Sequence, residues 1–183
     1  LDTSRGLGDV YKRQPVILGA VVRGVNIDED AIKRLMDHQE KLHFALGRGR
    51  KRASIGVHDL NKVSPPFRVE AVDRNHSFIP LAMEEPMTIQ EILEQHPKGI
   101  DYAHLLEGME NVPVILDSNN DVLSFPPIIN GEHTTVTTET RNLFVDVTGL
   151  DQRACESALM LVCLQLSVMA VSYTHLRAHE TYR

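Results

Sequence analysis

The sequence VLSFPPIINGEHTTVTTETRNLFVDVTG, residues 122–149, contains the pattern that most restricts the fold. In its last strand-like run, residues 143–148, side chains alternate because successive residues of a strand point to opposite faces of a sheet. One face is apolar and typical of a side that packs on a core: Leu143, Val145 and Val147. The other carries an aromatic ring, a carboxylate and a hydroxyl: Phe144, Asp146 and Thr148. Because a carboxylate is costly to bury without partners, this face is predicted to be either solvated, with Asp146 and Thr148 helping to cap the next helix, or part of a pocket.

The composition restricts the class of protein. The chain has 183 residues, of which 42% are hydrophobic and 24% charged, as in a soluble globular protein of one domain. Its net charge of -6 argues against a general polyanion binder, so any RNA contact must be local. No apolar run approaches the ~20 residues of a membrane span, and no signal peptide is visible. Cys155 and Cys163 lie in an apolar helical pattern, which predicts reduced core thiols in a cytosolic protein.

The order of predicted elements indicates the fold class. Residues 15–25 form an apolar run that predicts a buried strand, and a helix follows three acidic residues at positions 28–30. Residues 88–91, TIQE, form a capping box that opens a short helix. Residues 151–170 predict a long helix that is apolar nearly all round and therefore packs inside the domain or beneath a sheet. Strands and helices are mixed along the chain, which predicts an α+β single domain with a mixed or antiparallel sheet packed against helices.

Three further features have both a structural and a functional interpretation. Gln39 and His43 lie one helical turn apart and form either a buried polar seam or part of a site. His58, alone near the end of a predicted strand, is interpreted as structural. The segment GRGRKR, residues 47–52, is either a solvated loop or a contact for the phosphates of a nucleic acid, because arginine pairs well with phosphate. The candidate phosphate-binding residues are Arg48, Arg50, Lys51 and Arg52.

Several well-known catalytic motifs are absent from the sequence. It contains no GxxxxGK[ST] phosphate loop, no GxGxxG between a strand and a helix, no HExxH and no GxSxG. The chain is therefore not expected to bind ATP through a phosphate loop, to hold a catalytic metal ion or to act as a serine hydrolase.

Motifs spread along the chain resemble one protein family. They are QEKLH, GRGRKR, IGVHDL, MTIQEIL, HPKG, PPIIN and TRNLFVDVTG, and they occur in the family's order between about residues 15 and 170. The family is the beta subunit of phenylalanyl-tRNA synthetase of the archaeal and eukaryotic cytosolic type, and the matching region is its central editing domain. The resemblance implies a cytoplasmic protein that hydrolyses tyrosine mistakenly attached to phenylalanine tRNA. It also implies an alpha subunit as partner in a heterotetramer, and no DNA or membrane partner.

The resemblance leaves two functional classes open. The first is an editing hydrolase that is part of a ligase, with no cofactor of its own, since ATP and Mg²⁺ serve aminoacylation elsewhere in the complete synthetase. The second is a noncatalytic module that supports the heterotetramer or docks tRNA, because many domains keep a fold while losing a site.

The chemistry of editing explains why polar pocket residues are needed. A site shaped for phenylalanine discriminates against the additional hydroxyl of tyrosine only about a hundredfold. A second site that hydrogen-bonds this hydroxyl can reverse the preference, since phenylalanine would leave buried polar groups unpaired at about 1–3 kcal/mol each. Asp146 and Thr148, which match family pocket positions in VDVTG, are predicted to select the tyrosine side chain beside the aromatic wall of Phe144.

Further predicted site residues line the rim of that pocket. Ser124, Asn130 and His133 would orient the ester or a water molecule, and His133 is the candidate general base, although a polar loop histidine is most often merely exposed. No side-chain nucleophile stands out. Attack by water, assisted by positioning and by the terminal hydroxyl of the tRNA, is the more economical mechanism.

The two ends of the chain differ from the region they flank. Residues 1–14 and 171–183 lack its hydrophobic pattern and resemble translated sequencing-adapter sequence. Residues 15–170 are therefore predicted to be the domain and the two ends non-native tails, so that the chain is interpreted as a fragment.

Overall fold

The computed structural model describes residues 15–168, together with the backbone of residues 172–177. The elements follow one another in the order β1 (Val16–Arg23), α1 (Glu29–Ala45), β2 (Ala53–Asp59), β3 (Arg68–Val72), β4 (Ser77–Phe78), β5 (Met87–Thr88), α2 (Ile89–Gln95), α3 (Pro97–Tyr102), β6 (Val112–Leu116), β7 (Val122–Phe125), β8 (Ile129–Asn130), β9 (Asn142–Gly149), α4 (Gln152–Ser167) and β10 (Ser172–Arg177). Strands and helices alternate irregularly and the paired strands are antiparallel, which confirms the α+β prediction.

The first sheet is built around β9. Its strand order is β10-β1-β9-β2, so that β9 lies in the interior and β2 forms an edge. The apolar face of β9 packs with α1 and α4 in the main core, as the alternation predicts. Both helices begin at aspartate N-caps, because the carboxylates of Asp28 and Asp151 accept backbone N–H groups of the first helical turn.

Helix α4 is less buried than its composition predicts. One side enters the core and includes both free cysteines, Cys155 and Cys163, which are buried as expected. The opposite side exposes a stripe of large apolar residues, in which Met160 and Leu164 are 62% and 64% exposed. Of the two predicted positions, inside the domain or beneath a sheet, the structure shows the second, and a single sheet face covers only one side of a helix.

The second sheet has the strand order β3-β6-β7-β8. One of its faces packs against α2 in a separate core that includes Val112, Val114 and Ile92. The N-terminus of α2 has the predicted capping box, in which the side chains of Thr88 and Glu91 bond each other's backbone N–H groups.

The two sheets meet at the second face of β9. Phe144 packs with Ile115 and Leu123 of the second sheet, and its ring centroid lies 4.4 Å from that of Phe67. Asp146, on the same face, is only 2% exposed. This face is therefore turned inward, and of the two alternatives predicted for it the solvated one does not apply to Asp146.

The predicted tails fall mainly outside the described part of the chain. Residues 1–14 lie outside it, as do 169–171 and 178–183. Residues 172–177 form β10, which pairs with β1 at the edge of the first sheet. That the ends are non-native stays a prediction.

Within the described residues, no helix has the length and hydrophobicity needed to cross a membrane.

Candidate functional site

A cavity of about 150 Å³ lies between α1, the outer edge of β2 and residues 124–136. Its apolar lining includes Ile55, Leu81 and Ile128. Its polar lining residues fall into two groups, one with charged or titratable side chains and one without. We call the residues Glu40, His43, Arg50 and Lys98 the charged end, and the residues Ser54, Ser124, Asn130 and Thr134 the neutral end.

The neutral end is formed by neighbouring strands of the second sheet and by the edge of the first. Ser124 on β7 pairs with Asn130 on β8, and the Ser124 hydroxyl donates to the Asn130 side-chain oxygen at 3.2 Å. Ser54 on β2 lies directly opposite Thr148 on β9. The neutral end therefore contains three hydroxyls and one amide, and none of its side chains carries a charge.

A buried chain of hydrogen bonds leads from the neutral end into the inter-sheet layer. Thr134 Oγ1 lies 2.9 Å from His58 Nδ1, and His58 Nε2 lies 2.7 Å from Asp146 Oδ2. His58 is 0%, Thr134 1% and Asp146 2% exposed. Asp146, which the sequence pattern predicts on the pocket face, thus bonds the ring of His58, and His58 in turn bonds the Thr134 hydroxyl on the cavity wall.

Gly56 provides the space for this chain. It lies opposite Asp146 in the register of β2 and β9, and two residues before His58 on the same strand face. A Cβ atom at position 56 would overlap Asp146 Oδ2 and lie 2.7 Å from His58 Nε2. The carboxylate can therefore lean across β2 toward the imidazole only because position 56 has no side chain.

The charged end is dominated by Arg50. Its Nη1 donates to the carbonyl oxygens of Pro127 and Ile128 at 3.0 and 2.8 Å, and its Nη2 donates to Glu40 at 2.9 Å. The guanidinium also lies over the ring of Tyr102, 4.4 Å from its centroid. Arg50 therefore connects the segment after β7 to α1 through its Nη1 and Nη2 donors, whereas its buried Nε has no hydrogen-bond partner.

Glu40 and His43 have perturbed pKa values because of this setting. The pKa of Glu40 is lowered to about 2, first by the N–H of the His43 ring, whose Nδ1 lies 3.7 Å from Glu40, and then by the positive charges of Arg50 and Lys98. Partial burial acts in the opposite direction but is outweighed. Burial lowers the pKa of His43, although Glu40 opposes this shift. At neutral pH the charged end thus contains an ionised Glu40 and a neutral His43.

Gln39 and His43 bond the backbone at the outer edge of β2. Gln39 Nε2 donates to the Ile55 carbonyl at 2.7 Å, and His43 Nε2 accepts the Ile55 N–H at 2.8 Å. Both side chains also line the cavity. They form the polar seam that was one of the two interpretations of this pair.

The residues predicted to line the editing pocket occupy different depths. Ser124 and Asn130 lie on the cavity wall. Phe144 and Asp146 lie behind it in the inter-sheet layer, and Thr148 is half-buried beside Ser54. His133 is exposed as a whole, but neighbouring atoms cover part of its ring, and this loss of hydration lowers the pKa of His133. The functional roles of these residues stay predictions.

The four basic residues of the GRGRKR segment also differ from one another. Arg48 and Lys51 are exposed. Arg50 is buried, and Arg52 pairs with Asp151 at 2.5 Å. Arg48 and Lys51 are the more exposed of the four, the side chain of Arg52 is 39% exposed, and contact of these residues with phosphate stays a prediction.

The sequence predicts no role in the site for two residues of the neutral end, Ser54 and Thr134. It also predicts only a structural role for His58, which lies behind this end in the hydrogen-bond chain. A signal for His58 is present in the sequence, since Ser54, Gly56 and His58 alternate along one strand face in a small, small, polar pattern. No local pattern indicates that this face meets Asp146, which is 88 residues away.

The fold and the comparisons define the class of this protein. A family model described as the B3/4 domain matches residues 13–162, and the chain belongs to that family. A crystal structure of an N-terminal fragment of the phenylalanyl-tRNA synthetase beta subunit from Pyrococcus horikoshii is similar, with a TM-score of 0.81 and 38% identity. The match covers 87% of this chain and 46% of that one.

Curated relatives are phenylalanine-tRNA ligase beta subunits. That of Archaeoglobus fulgidus is 50% identical over 82% of this chain, and that of Methanosarcina acetivorans is 54% identical over 87% of it. The chain spans 28% and 29% of the lengths of these two relatives. The family resemblance inferred from the sequence motifs is confirmed.

Proposed function

We propose that this domain is a cytoplasmic editing hydrolase that cleaves the ester between tyrosine and phenylalanine tRNA. In this proposal the domain acts as part of a phenylalanine-tRNA ligase whose other parts, including the alpha subunit, carry out aminoacylation. The names of the relatives support the ligase context, and the cavity supports the editing reaction.

The observation that carries the proposal is the combination of size and polarity in the cavity. A cavity of about 150 Å³ with apolar walls can hold a benzene ring. The neutral end adds hydroxyls and an amide, which can hydrogen-bond a phenol without the cost of desolvating a charge. A phenyl ring in the same position would leave these groups without partners, so tyrosine is favoured over phenylalanine.

The hydrolytic step is assigned to water. The Ser124 hydroxyl is already committed as a donor to Asn130, which leaves the amide nitrogen of Asn130 as a donor for a substrate oxygen. Thr148, a predicted pocket residue, lies opposite Ser54 in the pairing of β2 with β9. Positioning of the ester and of a water molecule then supplies the rate enhancement.

The proposal is tested by deacylation of phenylalanine tRNA charged with tyrosine or with phenylalanine, using the 183-residue chain. We expect faster release of tyrosine, and a loss of this preference in Ser124→Ala. Ser118→Ala, the same change at an exposed turn, is the matched control and should behave as the wild type. A chain that binds the charged tRNA but releases neither amino acid would contradict the proposal and favour the noncatalytic tRNA-docking module.

A further inference from the structure

We propose that His58 is a positioning residue of the editing site, which shares one proton with Asp146 and fixes the hydroxyl of Thr134 on the cavity wall. The inference rests on the proposed function and deepens it. It assigns to Asp146 an indirect role, through His58, in place of direct contact with the tyrosine side chain.

The hydrogen bonds of Thr134 determine which atoms donate and which accept in the Thr134–His58–Asp146 hydrogen-bond chain. Thr134 Oγ1 donates to the Gly131 carbonyl at 3.0 Å. A hydroxyl has one proton, and a carbonyl oxygen can only accept, so Oγ1 must act as an acceptor toward His58. His58 Nδ1 therefore carries a proton and donates it to Thr134 at 2.9 Å.

The other ring nitrogen then requires a second proton. His58 Nε2 and Asp146 Oδ2 are 2.7 Å apart, and without a proton between them two lone pairs would face each other in a buried layer. The pair therefore holds one proton in the Nε2–Oδ2 hydrogen bond. Its net charge is zero, which agrees with the burial of both side chains, since an isolated buried carboxylate is costly.

This hydrogen-bond chain anchors the segment that forms one wall of the cavity. Residues Glu132–Thr134 form a short 3-10 helix, and Thr134, Thr135 and Val136 line the cavity. The Nδ1–H of His58 fixes the position of the Thr134 hydroxyl and leaves its remaining lone pair as an acceptor. The wall thus favours a ligand that donates a hydrogen bond, such as a phenol or the attacking water.

The same geometry argues against Thr134 as a nucleophile. Activation by His58 would require the hydroxyl proton to point toward Nδ1, whereas Oγ1 directs it to the Gly131 carbonyl. His58 and Asp146 are therefore assigned to positioning and not to covalent catalysis.

Two variants separate the indirect role of Asp146 from direct contact with the substrate. Asp146→Asn keeps a partner for His58 Nε2, because the amide N–H can donate to a neutral ring, and it preserves the bond to Thr134. His58→Gln can still donate to Asp146 but cannot reach Thr134. We expect His58→Gln to lower kcat for tyrosyl-tRNA deacylation on the order of a hundredfold with little change in KM, because the Thr134 hydroxyl would be displaced from its position on the cavity wall. Asp146→Asn should lose only a small part of this activity.

Thr134→Val, alone and combined with His58→Gln, tests whether His58 acts through Thr134. If it does, Thr134→Val combined with His58→Gln should lose no more activity than Thr134→Val alone, because both remove the same interaction. His104→Gln and Thr138→Val, the same changes at exposed positions, are the controls. Additive losses in the double variant, or a larger loss in Asp146→Asn than in His58→Gln, would overturn the positioning role.

The shared proton is tested independently of activity by the ring-nitrogen NMR shifts of His58. We expect Nδ1 to be protonated both in the wild type and in Asp146→Asn. An unprotonated Nδ1 in the wild type would mean that Nε2 carries the only ring proton, and it would overturn the shared proton. A folded wild type without deacylase activity would overturn the proposed function and with it the positioning role, while the NMR spectrum would still decide the state of the pair.

Discussion

The two ends of the cavity are both polar, but they use their hydrogen-bonding groups differently. At the charged end, Arg50 is held by Glu40 and by the carbonyls of Pro127 and Ile128. At the neutral end, the hydroxyls and the amide of Ser124 and Asn130 bond each other and keep further donors and acceptors. The charges at the charged end are thus compensated by the protein itself, although Arg50 Nε and His43 Nδ1 are buried without a hydrogen-bond partner. The neutral end keeps its further donors and acceptors on uncharged side chains.

This difference shows that charge alone is a poor guide to a binding site. Bringing a substrate to Arg50 would require separation of a buried guanidinium from its partners, which is strongly unfavourable. A neutral phenol at the other end meets groups that need no such rearrangement. The charged end therefore stabilises the fold and the neutral end is the part available for selection.

The largest effect is expected from Gly56→Ala, which breaks the support of the neutral end. The new Cβ would overlap Asp146 Oδ2 and crowd His58 Nε2, and separation of a buried pair costs about 3–5 kcal/mol. Urea unfolding measures this loss. Gly49→Ala is the control, because no atom would lie within 4 Å of its new Cβ. Its left-handed backbone, with φ of 63°, should by itself lower the free energy of unfolding by about 1–2 kcal/mol. Equal losses in both variants would contradict the role of the pair.

A smaller loss of stability is expected at the charged end from Arg50→Met. The change removes the donor to two backbone carbonyls and to Glu40, at a cost of about 2–4 kcal/mol in the free energy of unfolding. Arg48→Met, two residues earlier and exposed, should change it by less than about 0.5 kcal/mol. If the two variants were equally stable, Arg50 would have no special structural role.

The pH dependence of stability sharpens the comparison further. Burial lowers the pKa of His43 below its ordinary value of 6.5, so the unfolded chain binds more protons at this residue than the folded chain does. The contribution of neutral His43 to the free energy of unfolding is therefore complete above pH 6.5 and decreases as the pH falls below that value. In His43→Gln the side-chain oxygen can still accept the Ile55 N–H but does not titrate. We expect a shallower fall in unfolding free energy with decreasing pH than in the wild type, and an unchanged slope would contradict this origin.

The smallest effect concerns the exposed basic residues beside the charged end. Arg48→Gln with Lys51→Gln should weaken tRNA binding by a few-fold and reduce its dependence on salt, without a change in stability. Filter binding at two salt concentrations measures this. Lys33→Gln with Lys41→Gln removes the same charge from exposed positions on α1 and should have no comparable effect. Equal weakening by both double variants would indicate nonspecific attraction only.

The sequence predicted the parts of the fold that depend on local periodicity. Alternation along β9 identified its apolar face, and the TIQE segment identified the start of α2. These features are set by residues close in the chain. The resemblance of several motifs then supplied the family, which periodicity could not.

The candidate site was less predictable because its contacts join distant segments. His58 reaches Thr134 and Asp146 across 76 and 88 residues, and Arg50 reaches Ile128 across 78. The charge run containing Arg50 gave no sign that one arginine is buried while Arg48 remains exposed. Likewise, the apolar composition of α4 could not indicate that Met160 and Leu164 lie on an uncovered side.

The bonding of Ile55 by Gln39 and His43 has a consequence for the behaviour of the protein in concentrated solution. Strand β2 ends the first sheet, and an open strand edge is a template on which another chain can add a strand. Here both backbone groups of Ile55 already have side-chain partners from α1. The helix thus protects this edge against intermolecular strand pairing, and loss of the two side chains would promote aggregation through it.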